Sequence, residues 1–345
     1  MRYVSRANLK LLLDDLSGQY RVFVPVRKKD SRFYSRYEGS MDDVVIGEVR
    51  AFEPLKAFFF PAVEKVAEGF SGGSFPHEKD RPVCIVGVKA CDLKGFKVLD
   101  HVFGQEDEYP DPSYIKRRAE NLIISSDCTM AIETCFCLAL GLKPFPQEDF
   151  DINLSPVGDG FFVFVGSDKG KQIVERHAGL FEEPGEELSS AQEKSRLRVI
   201  REVERNIEEH GVPSQDRYQG IIEKGYESAV WKDEAESCVE CGACNTICPT
   251  CHCFLLYEQM KGDEEFARFR MWDSCLIKDF ARVGGGDNPR EHLWMRLRNR
   301  FEKKFDYFRK VADIYACTGC GRCISACPAK IDIRDVLRKL VEENE

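Results

Sequence analysis

The chain has no apolar run long enough to cross a membrane. Its most aromatic stretch, residues 57–61, is far shorter than the ~18 apolar residues that a membrane-spanning helix needs. Residues 1–15 also lack the sustained apolar segment of a secretory signal. We therefore expect no direct membrane insertion and a location in the reducing cytoplasm.

Basic residues are outnumbered, and two nucleotide-binding motifs are absent. The 50 Lys and Arg residues face 59 Asp and Glu residues, which gives a formal net charge of -9. Because an acidic chain repels nucleic acid, we expect no nucleic-acid partner, and a basic face on another protein is a better match.

Neither G-x-G-x-x-G nor G-x-x-x-x-G-K-[ST] occurs, so no dinucleotide fingerprint or phosphate loop is present.

Cysteine, in contrast, is abundant, and half of the sixteen cysteines form two copies of Cys-x2-Cys-x2-Cys-x3-Cys-Pro. In this motif three closely spaced thiolates wrap one [4Fe-4S] cluster, while the fourth binds the other cluster. We assign cluster 1 to Cys238, Cys241, Cys244 and Cys327, and cluster 2 to Cys317, Cys320, Cys323 and Cys248. The alternative is zinc, but a zinc ribbon needs only two thiolates per element and has no use for the third cysteine or for Cys-Pro.

The pattern of apolar residues predicts an α+β fold. Strands are expected at residues 20–26, 83–88, 122–125 and 161–165, and helices at residues 92–102, 168–177 and 191–210. Loops rich in Gly, Pro and acidic residues separate these elements, for example at residues 71–76 and 182–187. The N-terminal part is therefore predicted to be a mixed sheet with helices packed on it.

We predict three parts: a mixed α/β domain at residues 1–185, a helical linker at 186–232, and a dicluster domain at 233–345. The two cluster motifs are separated by residues 254–316, in which 254–260 and 293–311 have helical spacing. This favours a helical ferredoxin-type domain. An ordinary ferredoxin fold with an insertion is the alternative.

Four further cysteines are placed where strands end. Cys91 follows the predicted strand 83–88, and Cys128, Cys135 and Cys137 follow the strand 122–125. If these strands are neighbours, the four thiols meet at one edge of the sheet and are sufficient for a third [4Fe-4S] cluster. Cys91 is also expected at the start of a helix, whose dipole should lower the pKa of its thiol. The alternative is that they are small buried apolar residues, as Cys84 is expected to be within its strand.

Three more cysteines accompany the first motif. Cys251 and Cys253 flank His252 directly after the motif, and Cys275 lies in the segment between the motifs. They either form a further metal site or lie beside cluster ligands and tune them by packing and S–H groups, which we favour. For His252 an ordinary structural role is the safer interpretation.

The order of these motifs resembles that of a known family. The matching stretches are Gly87-Val-Lys-Ala-Cys-Asp-Leu93, Thr134-Cys-Phe-Cys137, Val165-Gly-Ser-Asp-Lys-Gly170, Cys248-Pro-Thr-Cys-His-Cys-Phe254 and Asp273-Ser-Cys275, followed by the second cluster motif. They resemble the iron-sulfur beta subunit of cytoplasmic sulfhydrogenases and the related A subunit of anaerobic sulfite reductase. The resemblance implies an electron-transfer subunit between a flavin subunit that exchanges hydride with a nicotinamide cofactor and a catalytic partner.

The sequence therefore predicts a subunit of an anaerobic oxidoreductase complex that relays single electrons through two [4Fe-4S] clusters, or three. Its expected partners are an FAD- and NAD(P)-binding subunit and a catalytic subunit of a hydrogenase, sulfite reductase, formate dehydrogenase or heterodisulfide reductase. The alternative is a thiol/disulfide-reducing enzyme that uses Cys251, Cys253 and Cys275 beside the clusters.

Overall fold

A computed structural model describes residues 2–68, 81–105, 109–260 and 266–344. The loop predicted at residues 71–76 lies outside them. The strands are β1 (Arg2–Ser5), β2 (Arg21–Lys28), β3 (Ser31–Arg36), β4 (Val63–Glu68), β5 (Val83–Val88), β6 (Leu122–Ser126), β7 (Ile152–Val157), β8 (Gly160–Val165), β9 (Phe254–Met260) and β10 (Phe266–Trp272). Strands and helices both occur, so the α+β prediction is confirmed.

The helices lie between and after these strands. They are α1 (Arg6–Leu16), α2 (Ala90–Phe103), α3 (Pro112–Glu120), α4 (Asp168–Arg176), α5 (Glu186–Glu208), α6 (Ile221–Lys224), α7 (Val230–Ala235), α8 (Ala243–Thr246), α9 (Leu293–Glu302), α10 (Phe308–Ala312), α11 (Arg322–Ser325) and α12 (Ile333–Asn344). A π-helical turn, Lys303–Tyr307, joins α9 to α10. Within the described ranges, none of the helices has both the length and the apolar character required to span a bilayer.

The first half of the chain forms a mixed sheet with the strand order β1-β8-β7-β6-β5-β2-β3. At its centre β5 and β6 are parallel neighbours, and every residue of both strands is buried. Continuous apolar runs such as Val83-Cys-Ile-Val-Gly-Val88 are typical of parallel strands that are covered on both faces. The predicted strands at 83–88 and 122–125 are therefore confirmed, and the condition that they are neighbours is met.

Helices cover both faces of this sheet. The Ser5 hydroxyl accepts a hydrogen bond from the Asn8 N–H and so caps α1, whose buried leucines face the sheet at helical spacing. On the other face α2 packs Leu93 and Phe96 against β5 and β6. Because α2 begins directly after β5, the side chains of its first turn lie at the carboxyl edge of the sheet.

The second half has its own helical core. Trp231 of α7, Phe301 of α9 and Leu337 of α12 are buried together. In α12 the buried residues Ile333, Val336, Leu337, Leu340 and Val341 follow the three- and four-residue spacing of an amphipathic helix. The helix predicted within residues 293–311 is confirmed, with the π-helical turn in its middle.

One predicted helix is wrong. Residues 254–260 form strand β9, which pairs antiparallel with β10, and Tyr257 stacks on Phe269 across the pair. Four consecutive apolar residues begin the segment, so its spacing suits either structure, and pairing with β10 decides between them. Strand β4, from the first half of the chain, pairs with the other edge of β10. The domain boundaries at residues 185 and 232 stay predictions.

A buried ion pair connects the two halves. The Arg322 guanidinium binds the Asp92 carboxylate of α2 at 2.8 Å, and both side chains are fully buried. Arg322 also donates to the backbone carbonyl oxygens of Ala51, Phe52 and Glu53. These bonds fix the second cluster motif, which contains Arg322, against the start of α2 and the loop after β3.

We predict that breaking this pair strongly destabilises the protein. Arg322→Met leaves the Asp92 carboxylate buried without its cation, which should lower the free energy of unfolding by about 3–5 kcal/mol. Anaerobic guanidinium unfolding followed by circular dichroism measures the change. The control is Lys10→Met, which breaks the exposed 2.7 Å pair with Asp14 and should cost about 1 kcal/mol or less. Equal costs for both variants would contradict the prediction.

Candidate iron-sulfur sites

The two cysteine motifs fold into the same loop. In each, residues with positive φ precede a one-turn helix that contains the third cysteine of the motif. Glu240 and Gly242 have φ of 54° and 69° before α8, and Gly319 and Gly321 have φ of 61° and 68° before α11. The shared backbone path places the successive thiols of each motif around one centre.

The glycines of the second loop allow it to pack against the Thr-Cys-Phe-Cys segment. A Cβ on Gly321 would stand 2.0 Å from the Thr134 carbonyl oxygen, and one on Gly319 would stand 2.5 Å from Cys137 Cα. The Phe136 N–H donates to the Gly319 carbonyl oxygen at 2.9 Å. Because no side chain fits, glycine is required for this contact between the two halves of the chain.

The first predicted ligand set surrounds one cavity. Its members come from both motifs: Cys238, Cys241, Cys244 and Cys327. Apolar side chains such as Leu297 and Phe301 form the rest of the wall, and the Ile331 N–H donates to Cys327 Sγ at 3.3 Å. Cys241 is exposed, so this cavity lies near the surface. The structure thus brings these four thiols together, with the fourth supplied by the second motif as the spacing predicts.

The second predicted set lies deeper. Cys248 and Cys317 are both buried, and Cys317 interacts electrostatically with Cys248 and Cys323. Cys323 also interacts with Cys320, which links the four thiols of this set. Cys323 in addition lines the first cavity and interacts with Cys244. The first and second sites are therefore direct neighbours.

Burial holds many of these thiols in the protonated form. It raises the pKa of Cys244 and of Cys317 to about 12 each. A thiol with so high a pKa becomes a thiolate at neutral pH only when a strong positive charge, such as iron, replaces the proton. The thiol environment therefore suits metal ligation better than free thiol chemistry.

Cys248 behaves differently because donors surround it. A hydrogen bond from Cys251, followed by the charges of Lys304 and Arg300, holds the pKa of Cys248 well below its usual range. The Lys304 ammonium donates to Cys248 Sγ at 3.2 Å and to the Thr250 hydroxyl and the Ala316 carbonyl oxygen at 3.0 Å each. A buried cation thus acts directly on a sulfur of the second site.

The donor set and its surroundings fit [4Fe-4S] clusters. In the described part of the chain, one terminal nitrogen of buried Arg300 and the hydroxyl of buried Thr318 have no hydrogen-bond partner, and both residues adjoin the cluster thiols. Sulfide and thiolate sulfurs of a cluster would accept from such donors. The described ranges contain no group of three His, Cys, Asp or Glu residues placed to hold a single metal ion. The thiols surround cavities, whereas tetrahedral zinc draws its sulfur ligands to about 2.3 Å from one point.

The four thiols of the predicted third set also surround one cavity. They are Cys91, Cys128, Cys135 and Cys137. Cys91 lies in the first turn of α2, directly after β5, and Cys128 follows β6. The convergence depends on the pairing of β5 with β6, which is the condition for the predicted site. The structure therefore places all four residues where a third cluster could be bound, and its presence stays a prediction.

The expected low pKa of Cys91 is wrong. Burial raises the pKa of Cys91 well above its usual value, and the negative charges of Asp92 and Cys320 raise it further. Arg322 acts in the opposite direction, but desolvation dominates over any effect of the helix N-terminus. Cys91 therefore resembles the other buried thiols of these sites and not an activated nucleophile.

The third cavity shares a wall with the second site. Cys320 lines this cavity and interacts electrostatically with Cys91, Cys135 and Cys137. Arg50 reaches from the N-terminal half to the backbone carbonyl oxygen of Cys320. The first and third cavities are therefore each lined by one cysteine of the second set, Cys323 in the first and Cys320 in the third.

The remaining cysteines divide into a core residue and a cluster of three. Cys84 is fully buried within β5, as predicted. Cys251 hydrogen bonds with Cys248, whereas Cys253 hydrogen bonds with Cys275. Cys251 is thus a neighbour of a predicted cluster ligand, as expected. Cys253 and Cys275 interact with each other and not with Cys248 in this way.

Basic residues of the long helix are the main feature that the sequence interpretation missed. Arg296, Arg300 and Lys304 recur at four-residue spacing, and all three are buried. Such spacing places them in one row along the helix, next to the apolar row of Leu297, Phe301 and Phe305. Basic residues that repeat at four-residue spacing beside an apolar row are a signal that could have identified cations near the cluster thiols.

Comparisons with known proteins agree with this arrangement. Residues 237–331 match the family described as 4Fe-4S dicluster domain. The chain is 33% identical over 323 residues to sulfhydrogenase 2 subunit beta of Pyrococcus furiosus. The matched region covers 93% of this chain and 92% of the relative. The similarity extends well beyond the dicluster region, so it includes the sheet that bears the third set of thiols. The chain belongs to the sulfhydrogenase beta-subunit family of iron-sulfur proteins.

Proposed function

We propose that this protein is the electron-transfer subunit of a multi-subunit anaerobic oxidoreductase. The contacts between neighbouring thiol sets carry the proposal. Cys323 connects the first set to the second, and Cys320 connects the second set to the third. Because adjacent clusters exchange single electrons, such a series forms a path through the protein. The subunit itself does not need to catalyse a reaction.

The proposed ligands are the three sets described above, each bound to one [4Fe-4S] cluster. Such clusters accept and release one electron at a time, with potentials set by ligands, charge, hydrogen bonding and exposure. The exposed Cys241 makes the first site the end of the path that is most accessible to a partner. The other ligands are shielded by buried apolar and cationic side chains.

We propose two kinds of partner. One is a flavin- and NAD(P)-linked subunit, and the other is a catalytic subunit, for which hydrogenase is favoured by the name of the Pyrococcus furiosus relative. Sulfite reductase, formate dehydrogenase and heterodisulfide reductase modules are the other candidates. The acidic chain suits a basic docking face, and we propose that the complex works in the cytoplasm.

Reduction of an external disulfide is the second candidate function. The contact between Cys253 and Cys275 favours it. However, Cys275 is only 3% exposed, so a disulfide on another protein cannot reach its sulfur without opening the fold. The buried position of this thiol therefore favours electron relay over direct attack on a large substrate.

The number of clusters is tested by counting iron and acid-labile sulfide. Three cubanes predict about twelve of each per anaerobically prepared chain, and two predict about eight. Cys135→Ala should lower the count by about four, because it removes a ligand of the third site. Cys84→Ala, which alters a buried thiol away from the cavities, should leave the count unchanged. A wild-type count of eight together with no loss in Cys135→Ala would exclude the third cluster.

The relay is tested in the assembled complex. Cys241→Ala and Cys320→Ala each remove a ligand of a different cluster and should abolish electron flow between the two partner subunits. Each partner should still react with artificial dyes, because its own cofactors are intact. Physiological turnover at the wild-type rate in either variant would exclude the relay, provided that the same preparation contains normal amounts of all subunits.

The charge of buried Lys304 should raise the reduction potential of the second cluster. Lys304→Met removes a positive charge that contacts Cys248, which should stabilise the oxidised cluster and lower its potential by roughly tens of millivolts, where 59 mV is tenfold for one electron. A redox titration monitored by EPR measures the shift. Lys310→Met changes an exposed lysine on the following helix and should leave the potential in place. A rise in potential in Lys304→Met would contradict the proposed contact.

A further inference from the structure

Beyond the three cluster sites, the structure contains a cavity where thiols and cations meet. Cys251, Cys253 and Cys275 line it together with Arg300, Lys303 and Lys304, and no carboxylate is among its described lining residues. Cys253 and Cys275 face each other across this cavity, and their side chains interact. The Asp273 N–H donates to the Cys253 carbonyl oxygen at 2.9 Å, which holds the two segments that bear these thiols together.

The pair is connected to the first cluster site through one side chain. Asn245 follows the cluster ligand Cys244, and its carboxamide Nδ2 donates to Cys275 Sγ at 3.0 Å. The Oδ1 of the same carboxamide lies 3.5 Å from Cys244 Sγ and accepts from Arg300 Nε at 3.2 Å. Asn245 is itself buried. A single amide group therefore contacts a cluster sulfur on one side and a thiol of the pair on the other.

Cations surround the pair. Lys303 Nζ lies 3.8 Å from Cys253 Sγ, and one terminal nitrogen of Arg300, a second lining residue, is without a hydrogen-bond partner among the described residues. Lys56, which is also buried, donates to the backbone carbonyl oxygens of Asn245 and Cys251. Such an environment stabilises negative charge that develops on the two sulfurs.

We propose that Cys253 and Cys275 form a redox-active dithiol that exchanges two electrons with the clusters. The inference rests on the proposed electron-transfer function, since clusters are its electron donors and acceptors. On oxidation the two thiols form one S–S bond, release two protons to water at the less buried Cys253, and give two electrons, one to each of two cubanes. On reduction two electrons return one at a time, the S–S bond breaks, and two protons are taken up.

Clusters transfer one electron at a time, whereas a hydride carries two electrons. The dithiol pair would store two electrons and so connect the clusters to a partner that transfers hydride. The first electron produces a disulfide radical anion, whose charge is stabilised by Lys303 and Arg300, and the second completes the reduction. The oxidised site therefore contains a disulfide between two cysteines of the chain itself. A fourth metal cluster bound by Cys251, Cys253 and Cys275 is the competing outcome.

Reductive titration of the anaerobically oxidised full-length protein tests the proposal. Wild type should take up two more electrons per chain than Cys253→Ser or Cys275→Ser, and peptide mapping should find a Cys253–Cys275 linkage only in the oxidised wild type. Cys84→Ala is the matched control with another buried thiol and should behave as wild type. Equal electron uptake in all variants, or no linkage after oxidation, would overturn the dithiol.

Two further measurements separate the alternatives. Asn245→Ala should still form the linkage but slow its reduction by the clusters at least tenfold, and an unchanged rate would remove Asn245 from the path. A loss of about four iron atoms in Cys275→Ser would show a metal cluster at this site and would overturn the proposal. Absence of iron from wild type would refute the electron-transfer function itself, which is distinguishable from failure of the dithiol alone.

Discussion

The buried ion pair between Arg322 and Asp92 determines how the two halves of this protein fit together. Each partner is next to a cysteine of a predicted ligand set in sequence: Asp92 follows Cys91, and Arg322 precedes Cys323. Burying two charges is costly, and the cost is recovered only when the geometry is good and the remaining donors are used. Here the guanidinium also binds three backbone carbonyl oxygens through Nε and Nη2, whereas Nη1 has no hydrogen-bond partner among the described residues. The pair thus holds Cys91 and the second cluster loop in a fixed relation, and the glycine contacts at Gly319 and Gly321 require the same fit.

The placement of charge follows from the chemistry of the sites. The chain is acidic as a whole, yet its interior contains buried Arg50, Lys89, Arg300, Lys304 and Arg322. Each of them interacts electrostatically with at least one cysteine of the three sites. An oxidised cubane with four thiolate ligands carries about two negative charges, so buried cations reduce the cost of placing such a group in a region of low dielectric. The buried cations therefore suit the binding of negatively charged clusters inside a chain that is acidic as a whole.

The sequence predicted those features that depend on short-range spacing. The cysteine motifs place eight thiols in two predicted sets, and four more cysteines lie at the ends of two predicted strands. That these four meet depends on the pairing of β5 with β6, which is only a condition until the structure shows it. It could not predict what depends on distant partners. The helix expected at residues 254–260 is strand β9 because β10 pairs with it, and the contact of Arg322 with Asp92 spans 230 residues. The low pKa expected for Cys91 failed because a local dipole argument omits burial, which only the packed structure reveals.

The long helix explains how cations reach the centre of an acidic protein. Its apolar side chains pack into the helical core, and Arg296, Arg300 and Lys304 form a second buried row beside them. The helix contains a π-helical turn that begins at Lys303, and such turns change the direction of side chains at functional sites. With this turn, Lys303 lies beside Cys253 while Lys304 contacts Cys248. Successive residues of a helix point about 100° apart, so two consecutive lysines reach two different sulfur sites. The thiol pair and the second cluster site thus each receive a positive charge from the same short stretch of helix.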